Sequence, residues 1–580
     1  MKTFIQIFIS VFLSLALIFI GALLIFGALL PSGPSIPAKA ILELDLQGDI
    51  PEYVAPDPLQ EAFNRGVLDI HKIRDDLEKA SVDKRIKAII VRPELLNVGF
   101  GKLQELYALF KSFRQHSEKP IYAYLGSDIS FTRDYYLACA CDSIIMPADA
   151  NLFLTGVRSE VTFYKDFFNK IGVEAQFLHI GKYKNAPDAY TRNRMSPWQR
   201  EVLQEIIDQY YHNIVRTIAH NRHLSPEKVD ELINQKTGFS GAQAKALGLV
   251  DRTAFYNEVE KMILARSGEK SLKRLSALDY ATVPTSSLKI RNKSRIAVIN
   301  CEGTIYGGSD SENPAFGRML GAKTAIRNIR KAAKSRLVKA IILRIDSPGG
   351  ASLPSSEIWQ AIMEAKKKKP VIASVGDLGA SGGYLIAIAA DTIVALPNSL
   401  VGSIGVFAGK FNFNGTYDKL GLNVQAVQKG KHADLFSTNK PWDKEEKAII
   451  QEMIGEFYHS FVSKVARARG MSYKQVDRLA QGRVWTGLAA FKNGLIDTLG
   501  NFYTAVKIAK KMAGISPSES VRLVYYPRKK SFMNELLNTL DVRIRYSDNW
   551  LKYAVHQLIP ILESWQNKPL ALLPFRLVFN

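Results

Sequence analysis

The sequence predicts an α/β fold, built twice in tandem and preceded by one transmembrane helix. Three observations carry that expectation. An uncharged, apolar run from Phe4 to Leu30 exceeds the ~20 residues a helix needs to cross the hydrocarbon layer. Beyond it, short β-branched apolar runs alternate with longer amphipathic segments, the pattern of a parallel sheet covered by helices. These segments occur twice in the same order, for much of their length at an offset of 249 residues, as in Tyr135 against Tyr384.

Taken in order, residues 1–3 read as a cytoplasmic tip and residues 4–30 as the anchor, which would contact membrane lipid. A cleaved signal peptide has an apolar stretch of only ~7 to 15 residues, so the run reads as retained, although Ala38-Lys39-Ala40 resembles a cleavage site. Lys2 before the span favours an inside N-terminus and places the body on the far side, since long domains translocate largely regardless of charge. Residues 31–40, PSGPSIPAKA, form a Pro-rich linker.

Residues 41–285 and 286–515 are expected to be the two repeat domains. RIKAIIVRPE from Arg85 parallels LVKAIILRIDSPGG from Leu337, and KPIYAYLG from Lys119 parallels KPVIASVG from Lys369. Gly156 meets Gly405 and Gly181 meets Gly430 at the same offset of 249, and SGAQAKALGLVD from Ser240 meets TGLAAFKNGLID from Thr486. Residues 516–580 form an extension whose apolar and basic clusters fit a docked helix as well as a bilayer-surface segment.

Composition narrows the function classes. Hydrophobic residues make up 47% and charged residues 23% of 580, a globular balance with ample core. The 77 Lys and Arg against 55 Asp and Glu give +22, which favours anionic surfaces without choosing among them. Lys366 to Lys369, before Pro370, read as a solvated helix end, and no nucleic-acid signature accompanies them. Cys139, Cys141 and Cys301 suggest neither a disulfide framework nor a metal site, because no cluster completes four ligands. No nucleic-acid partner, metal or cofactor is expected.

The chemistry concentrates in the second copy. Ser381 lies in GASGGYLIA between a strand and a small-residue helix, where Gly382 and Gly383 leave the backbone open to a substrate carbonyl. An ordinary helix cap accounts for the motif equally well. Pro348-Gly349-Gly350 follows another strand, making the Gly350 amide a candidate second donor to an oxyanion; a plain Pro-Gly turn is the bland alternative. A serine needs a base. No G-x-S-x-G elbow surrounds Ser381, and His432 reads as a surface or groove residue rather than the base.

Divergence between the copies supplies a better candidate. Ser381 aligns with Thr132, while Lys184, in HIGKYKNAPDAY, aligns with Ala433. One half keeps lysine and the other serine. A lysine acts as a base once desolvation lowers its pKa far below ~10.4, and burial between the halves would do that. Ser403, in VGSIGVF, is placed to fix the amine or simply to cap a turn.

The anchor, the duplicated halves, IDSPGG from Ile345, GASGGYLIA from Gly379, VGSIGVF from Val401 and KYKNAPDAY from Lys182 together resemble the long form of signal peptide peptidase A, bacterial protease IV. The resemblance runs from Met1 to about residue 515. It implies two tandem domains of the fold shared by Clp protease and the crotonase group, and a Ser/Lys dyad peptidase without cofactor. Ser381 matches the nucleophile, Lys184 the general base, Gly350 and Gly382 the oxyanion amides, and Ser403 the hydroxyl that helps place the lysine. It further implies a homotetramer on the periplasmic side of the bacterial inner membrane, acting on cleaved signal peptides and other apolar peptides. A crotonase-like enzyme acting on acyl thioesters and a non-catalytic membrane scaffold are the competing readings.

Overall fold

The computed structural model of the chain describes residues 36–55, 66–288, 294–313, 317–527 and 570–572, with four isolated positions before residue 22. Apart from those four positions the expected anchor, residues 4–30, lies outside the described residues, as do half of the linker and most of residues 516–580. Among the described residues no helix is long and apolar enough to cross a membrane.

The first half is built on a six-stranded parallel sheet in the order Lys273–Ser276, Ala40–Gln47, Ile86–Glu94, Ile121–Tyr124, Ser143–Met146, Arg252–Thr253. The second half repeats that order with Val521–Tyr526, Ser294–Glu302, Val338–Ser347, Val371–Ala380, Thr392–Ala395 and Thr498–Leu499. Their central strands are nearly continuous apolar runs because helices cover a parallel sheet on both faces. Val338, Ala340 to Leu343 and Ile345 are all buried accordingly.

Polar contacts repeat as well. The Tyr135 hydroxyl donates to the Leu249 carbonyl at 2.6 Å, and Tyr384 to the Leu495 carbonyl at 2.6 Å. Arg222 grips Asp251 through two nitrogens, as Arg469 grips Asp497. The basic run before Pro370 is more than a solvated end. Lys366 is the last residue of the helix Ser352–Lys366, but Lys369 reaches across to the Ala332 carbonyl at 3.1 Å, at the end of the helix Ala322–Lys334. Lys119 does the same in the first copy, donating to the Asp83 carbonyl at 2.6 Å beyond the helix Ile70–Val82. Both amines complement the negative end of a helix dipole.

Among the contacts that hold the halves together, two joints bear on the site. Glu174–Ile180 of the first half pairs antiparallel with Val406–Asn412 of the second over seven residues. In the other joint Arg344, fully buried, donates to both Glu52 carboxylate oxygens at 2.8 and 3.0 Å, while Lys102 Nζ lies 2.6 Å from Asp346. Glu52 and Lys102 come from the first half, Arg344 and Asp346 from the second.

Candidate active site

The strand Val371–Ala380 runs unbroken for 10 residues into Ser381, whereas the first copy splits the same stretch into Ile121–Tyr124 and Ile129–Phe131. Ser381 then turns sharply, with φ 55° and ψ −114°, before the helix Gly382–Ala387. That is the first central position of a type II′ turn, which normally demands glycine, and a side chain there costs roughly 1–3 kcal/mol. Its amide donates to the Gly402 carbonyl at 2.7 Å and its carbonyl accepts from Leu385 at 2.8 Å. The hydroxyl makes no capping bond to the helix. Thr132, its counterpart, shows what was lost: the residue before it, Phe131, is ordinary extended backbone, and Thr132 Oγ1 donates to the Thr155 carbonyl at 2.7 Å.

The Ser381 hydroxyl instead meets Lys184, whose Nζ lies 2.8 Å from Ser381 Oγ and 3.0 Å from Ser403 Oγ. The Ser403 carbonyl is 3.3 Å from the same amine. All three residues are 0% exposed. Burial pushes the Lys184 ammonium well below its ordinary pKa. The tertiary fold thus gathers residues 184, 381 and 403, which the sequence comparison selected separately.

Gly350 and Gly382 are neighbours at this site. A Cβ added to Gly382 would sit 3.1 Å from the Gly350 nitrogen and 2.6 Å from Ser355 Oγ. Gly350 itself packs so closely on Ile305 that a Cβ would fall 2.0 Å from the Ile305 carbonyl oxygen. Two backbone segments therefore come into close contact at Gly382, the residue after Ser381. His432 stays away from the cluster, 3.3 Å from Glu445. Cys139, Cys141 and Cys301 are buried free thiols, and no metal-binding cluster occurs among the described residues.

Sequence reasoning missed the segment that assembles these groups. The Gln481 carbonyl accepts from the Tyr183 amide at 2.8 Å, and the Arg483 carbonyl accepts from the Ser403 amide at 2.7 Å. Gly482 between them, at φ 77°, leaves no room for a Cβ, which would lie 2.5 Å from the Lys184 nitrogen. Arg483 bonds Glu201 and Glu205 and lies over the Tyr183 ring at 4.6 Å, clamping the lysine loop from above. The signal was there: at the Ser240 to Thr486 alignment Gly482 faces Lys236, one more divergence between the copies.

A one-strand slot adjoins the site. Its edges are Gly349–Ala351, carrying Gly350, and Val406–Asn412, which follows Ser403. Residues Leu570–Leu572 lie in it as a strand. Ala351 and Phe407, with Phe177 and Ala186 of the first half, make a small apolar cluster beside the slot.

Known proteins resemble the chain over both halves. Residues 113–267 and 363–516 each match peptidase family S49. The chloroplastic serine protease SPPA of Arabidopsis thaliana is 33% identical over 526 residues, covering 90% of this chain and 76% of that protein. Protease 4 of Haemophilus influenzae is 33% identical over 456 residues, with 75% and 72% covered, and protease 4 of Salmonella typhi 30% over 548 residues, with 90% and 85% covered. The chain therefore belongs to peptidase family S49, in the long form that carries its domain twice, and is a serine peptidase.

Proposed function

We propose that Ser381 and Lys184 form a Ser/Lys dyad that hydrolyses apolar peptides, with cleaved signal peptides as natural substrates. The observation that carries this reading is the 2.8 Å contact between Lys184 Nζ and Ser381 Oγ inside a fully buried cluster. The amine takes the Ser381 proton as Oγ attacks a peptide carbonyl carbon. Negative charge forming on the carbonyl oxygen is held by the Gly350 and Gly382 amides, which need no reorganisation as it develops. As the C–N bond breaks, Lys184 returns the proton to the leaving amine and then activates water, which hydrolyses the acyl ester and restores Ser381. Ser403 keeps the amine pointed at the hydroxyl. An extended peptide adds as a strand in the slot beside Gly350, its backbone giving affinity and the Ala351 and Phe407 cluster favouring apolar side chains.

Residues 41–285 act as the domain supplying the base and residues 286–515 as the domain supplying the nucleophile, which the edge strand Val521–Tyr526, drawn from the expected extension 516–580, completes by pairing with Ser294–Glu302. The apolar run from Phe4 to Leu30 anchors the protein in the bacterial inner membrane with the catalytic body on the periplasmic side. In the working assembly, a homotetramer, copies join head to tail through the strand pairing that joins the halves. Shifting that pairing by the repeat offset of 249 points to residues 423–429 and 157–163. Neither segment is a strand, and residues 423–429 are exposed, with Val424 and Val427 open to solvent. From Val157 to Phe163 exposure alternates residue by residue, as along a strand with one covered face.

Hydrolysis of an apolar reporter peptide tests the dyad. Ser381→Ala and Lys184→Ala, folded by circular dichroism, should each lower kcat/KM by at least ~10²- to 10⁴-fold. A serine-directed covalent probe should label Ser381 in the parent and stop doing so in Lys184→Ala. Undiminished turnover in either variant would refute the assignment.

A further inference from the structure

A groove opens at the end of the strand that carries Gly350. The strand Thr304–Tyr306 pairs with Gly349–Ala351 through Ile305 and Gly350, and the groove begins at the residues that follow them, Tyr306 and Ala351. It encloses about 1760 Å³ between the helices Ala322–Lys334 and Ser352–Lys366. Part of its lining is apolar, where Leu353, 68% exposed, stands with Pro354 and Ile326. The rest is dominated by cations. Lys323, Arg327, Arg330, Lys331 and Lys334 recur at helical spacing along one exposed face, while Ala325, Ile329, Ala332 and Ala333 are buried on the other. Helix electrostatics does not account for this row. Lys331 and Lys334 suit a last turn, but Lys369 already donates to the Ala332 carbonyl there, and Lys323 sits in the first turn, where positive charge is unfavourable. The acids described around the row fall short of it. Glu357 lines the groove, Glu364 lies 3.4 Å from Arg330, and Asp310, near Arg327, also accepts from the Gly321 amide at 2.9 Å.

We propose that this groove extends the substrate track and takes acidic side chains, so that the peptidase favours peptides whose apolar cleavage segment is flanked by Asp or Glu. A peptide lying beside Gly350 passes Ala351 at its next position and meets the groove there. The cationic row attracts an acidic flank over a distance and repels a lysine-rich one, while Leu353 and Ile326 cover the adjoining apolar atoms. The proposal rests on the reading of Gly350 as part of the peptide track. It adds a charge preference that the small apolar cluster at Ala351 and Phe407 has no group to supply.

The test compares one apolar reporter peptide extended by a few Glu or a few Lys residues at either end, hydrolysed by full-length protein in neutral detergent. For at least one end the ratio of kcat/KM, Glu over Lys, should be about tenfold, the gain that a few exposed ion pairs allow. It should shrink as salt rises from about 0.05 to about 0.5 M. In Arg327→Glu with Lys331→Glu the ratio should invert, and in Arg327→Gln with Lys331→Gln it should fall toward unity, both variants folded by circular dichroism. Each ratio is read within one enzyme, so a change in overall activity does not disturb it. A ratio near unity in the parent at both ends, or an unaltered ratio in the charge-reversed variant, overturns the proposal. So does a variant effect seen only after reconstitution into phosphatidylglycerol vesicles, which would make the row a bilayer contact. Binding of the same peptides to Ser381→Ala, read by fluorescence anisotropy, keeps the Glu preference even if another residue proves to be the nucleophile; that failure would appear instead as full turnover by Ser381→Ala.

Discussion

Ser381 and Lys184 each hold an unfavourable state that the surrounding fold enforces. For the serine it is a left-handed backbone, φ 55°, pinned by the Gly402 carbonyl. For the lysine it is an amine stripped of water, whose folded pKa burial depresses. Unfolded, that amine keeps its proton up to ~10.4. Between the depressed and the ordinary pKa the unfolded chain therefore holds the extra proton, and stability rises with pH. Lys184→Met should consequently melt higher than the parent near pH 6, by calorimetry, with the gain shrinking as pH approaches about 10. A gain independent of pH would mean that Lys184 is not buried uncharged. Gly482 gives the second residue-scale expectation. Gly482→Ala places a methyl against the Lys184 backbone at a positive φ, and an ångström of displacement is enough to cost about 10²-fold. The same clash and the positive φ lower the melting temperature, so the outcome to look for is a loss of that order in kcat/KM measured well below the variant's melting point, where the protein is still folded.

Among the elements, the first-half helix Phe100–His116 matters most to the site despite contributing nothing to its chemistry. Its Lys102 amide donates to Asp377 at 2.7 Å, and Gly99 and Gly101 let that carboxylate come so close that a Cβ on Gly99 would lie 2.4 Å from it. Asp377 lies four residues before Ser381, near the end of the strand Val371–Ala380, and Asp346 four residues before Gly350, near the end of the neighbouring strand Val338–Ser347. The helix start thus braces both strands that end at the site. Burial, with the Asp346 carboxylate nearby, raises Asp377 to about 7, against the pull of Lys102. A carboxyl with a raised folded pKa stabilises fully below its unfolded value of ~3.9, and this contribution is lost as pH rises through 7. Asp377→Asn keeps an acceptor for the Lys102 amide and removes the titration. Its melting temperature should fall less than the parent's between about pH 5 and pH 8; equal slopes would exclude Asp377 as the titrating brace.

Across the whole molecule, the chain behaves as one repeat folded against another. The repeat still shows in its sheets, its Tyr-to-carbonyl bonds and its Arg–Asp pairs, yet the copies differ where Lys184 of the first meets Ser381 of the second. If residues 423–429 and 157–163 close a head-to-tail contact, Val424→Asp with Val427→Asp should lower the mass seen by sedimentation while leaving the monomer folded. An assembly of unchanged mass would exclude that edge.

The amino-acid sequence by itself determined the duplication, the parallel α/β pattern and the pairing of Ser381 with Lys184. Those are legible because buried strands keep their apolar runs whatever their neighbours do, and because two copies of one fold reveal chemistry wherever they differ. Thr132 against Ser381 and Ala433 against Lys184 are such differences. The tertiary structure alone decided which extended segments pair, so that Glu174–Ile180 meets Val406–Asn412, and that Gln481 to Arg483 tie the lysine loop to Ser403. It also decided that Ser381 adopts a glycine-like turn and that Leu570–Leu572 fills the slot. Strand partnership, close approach and desolvation arise only when distant segments come together, and no local pattern of residues encodes them.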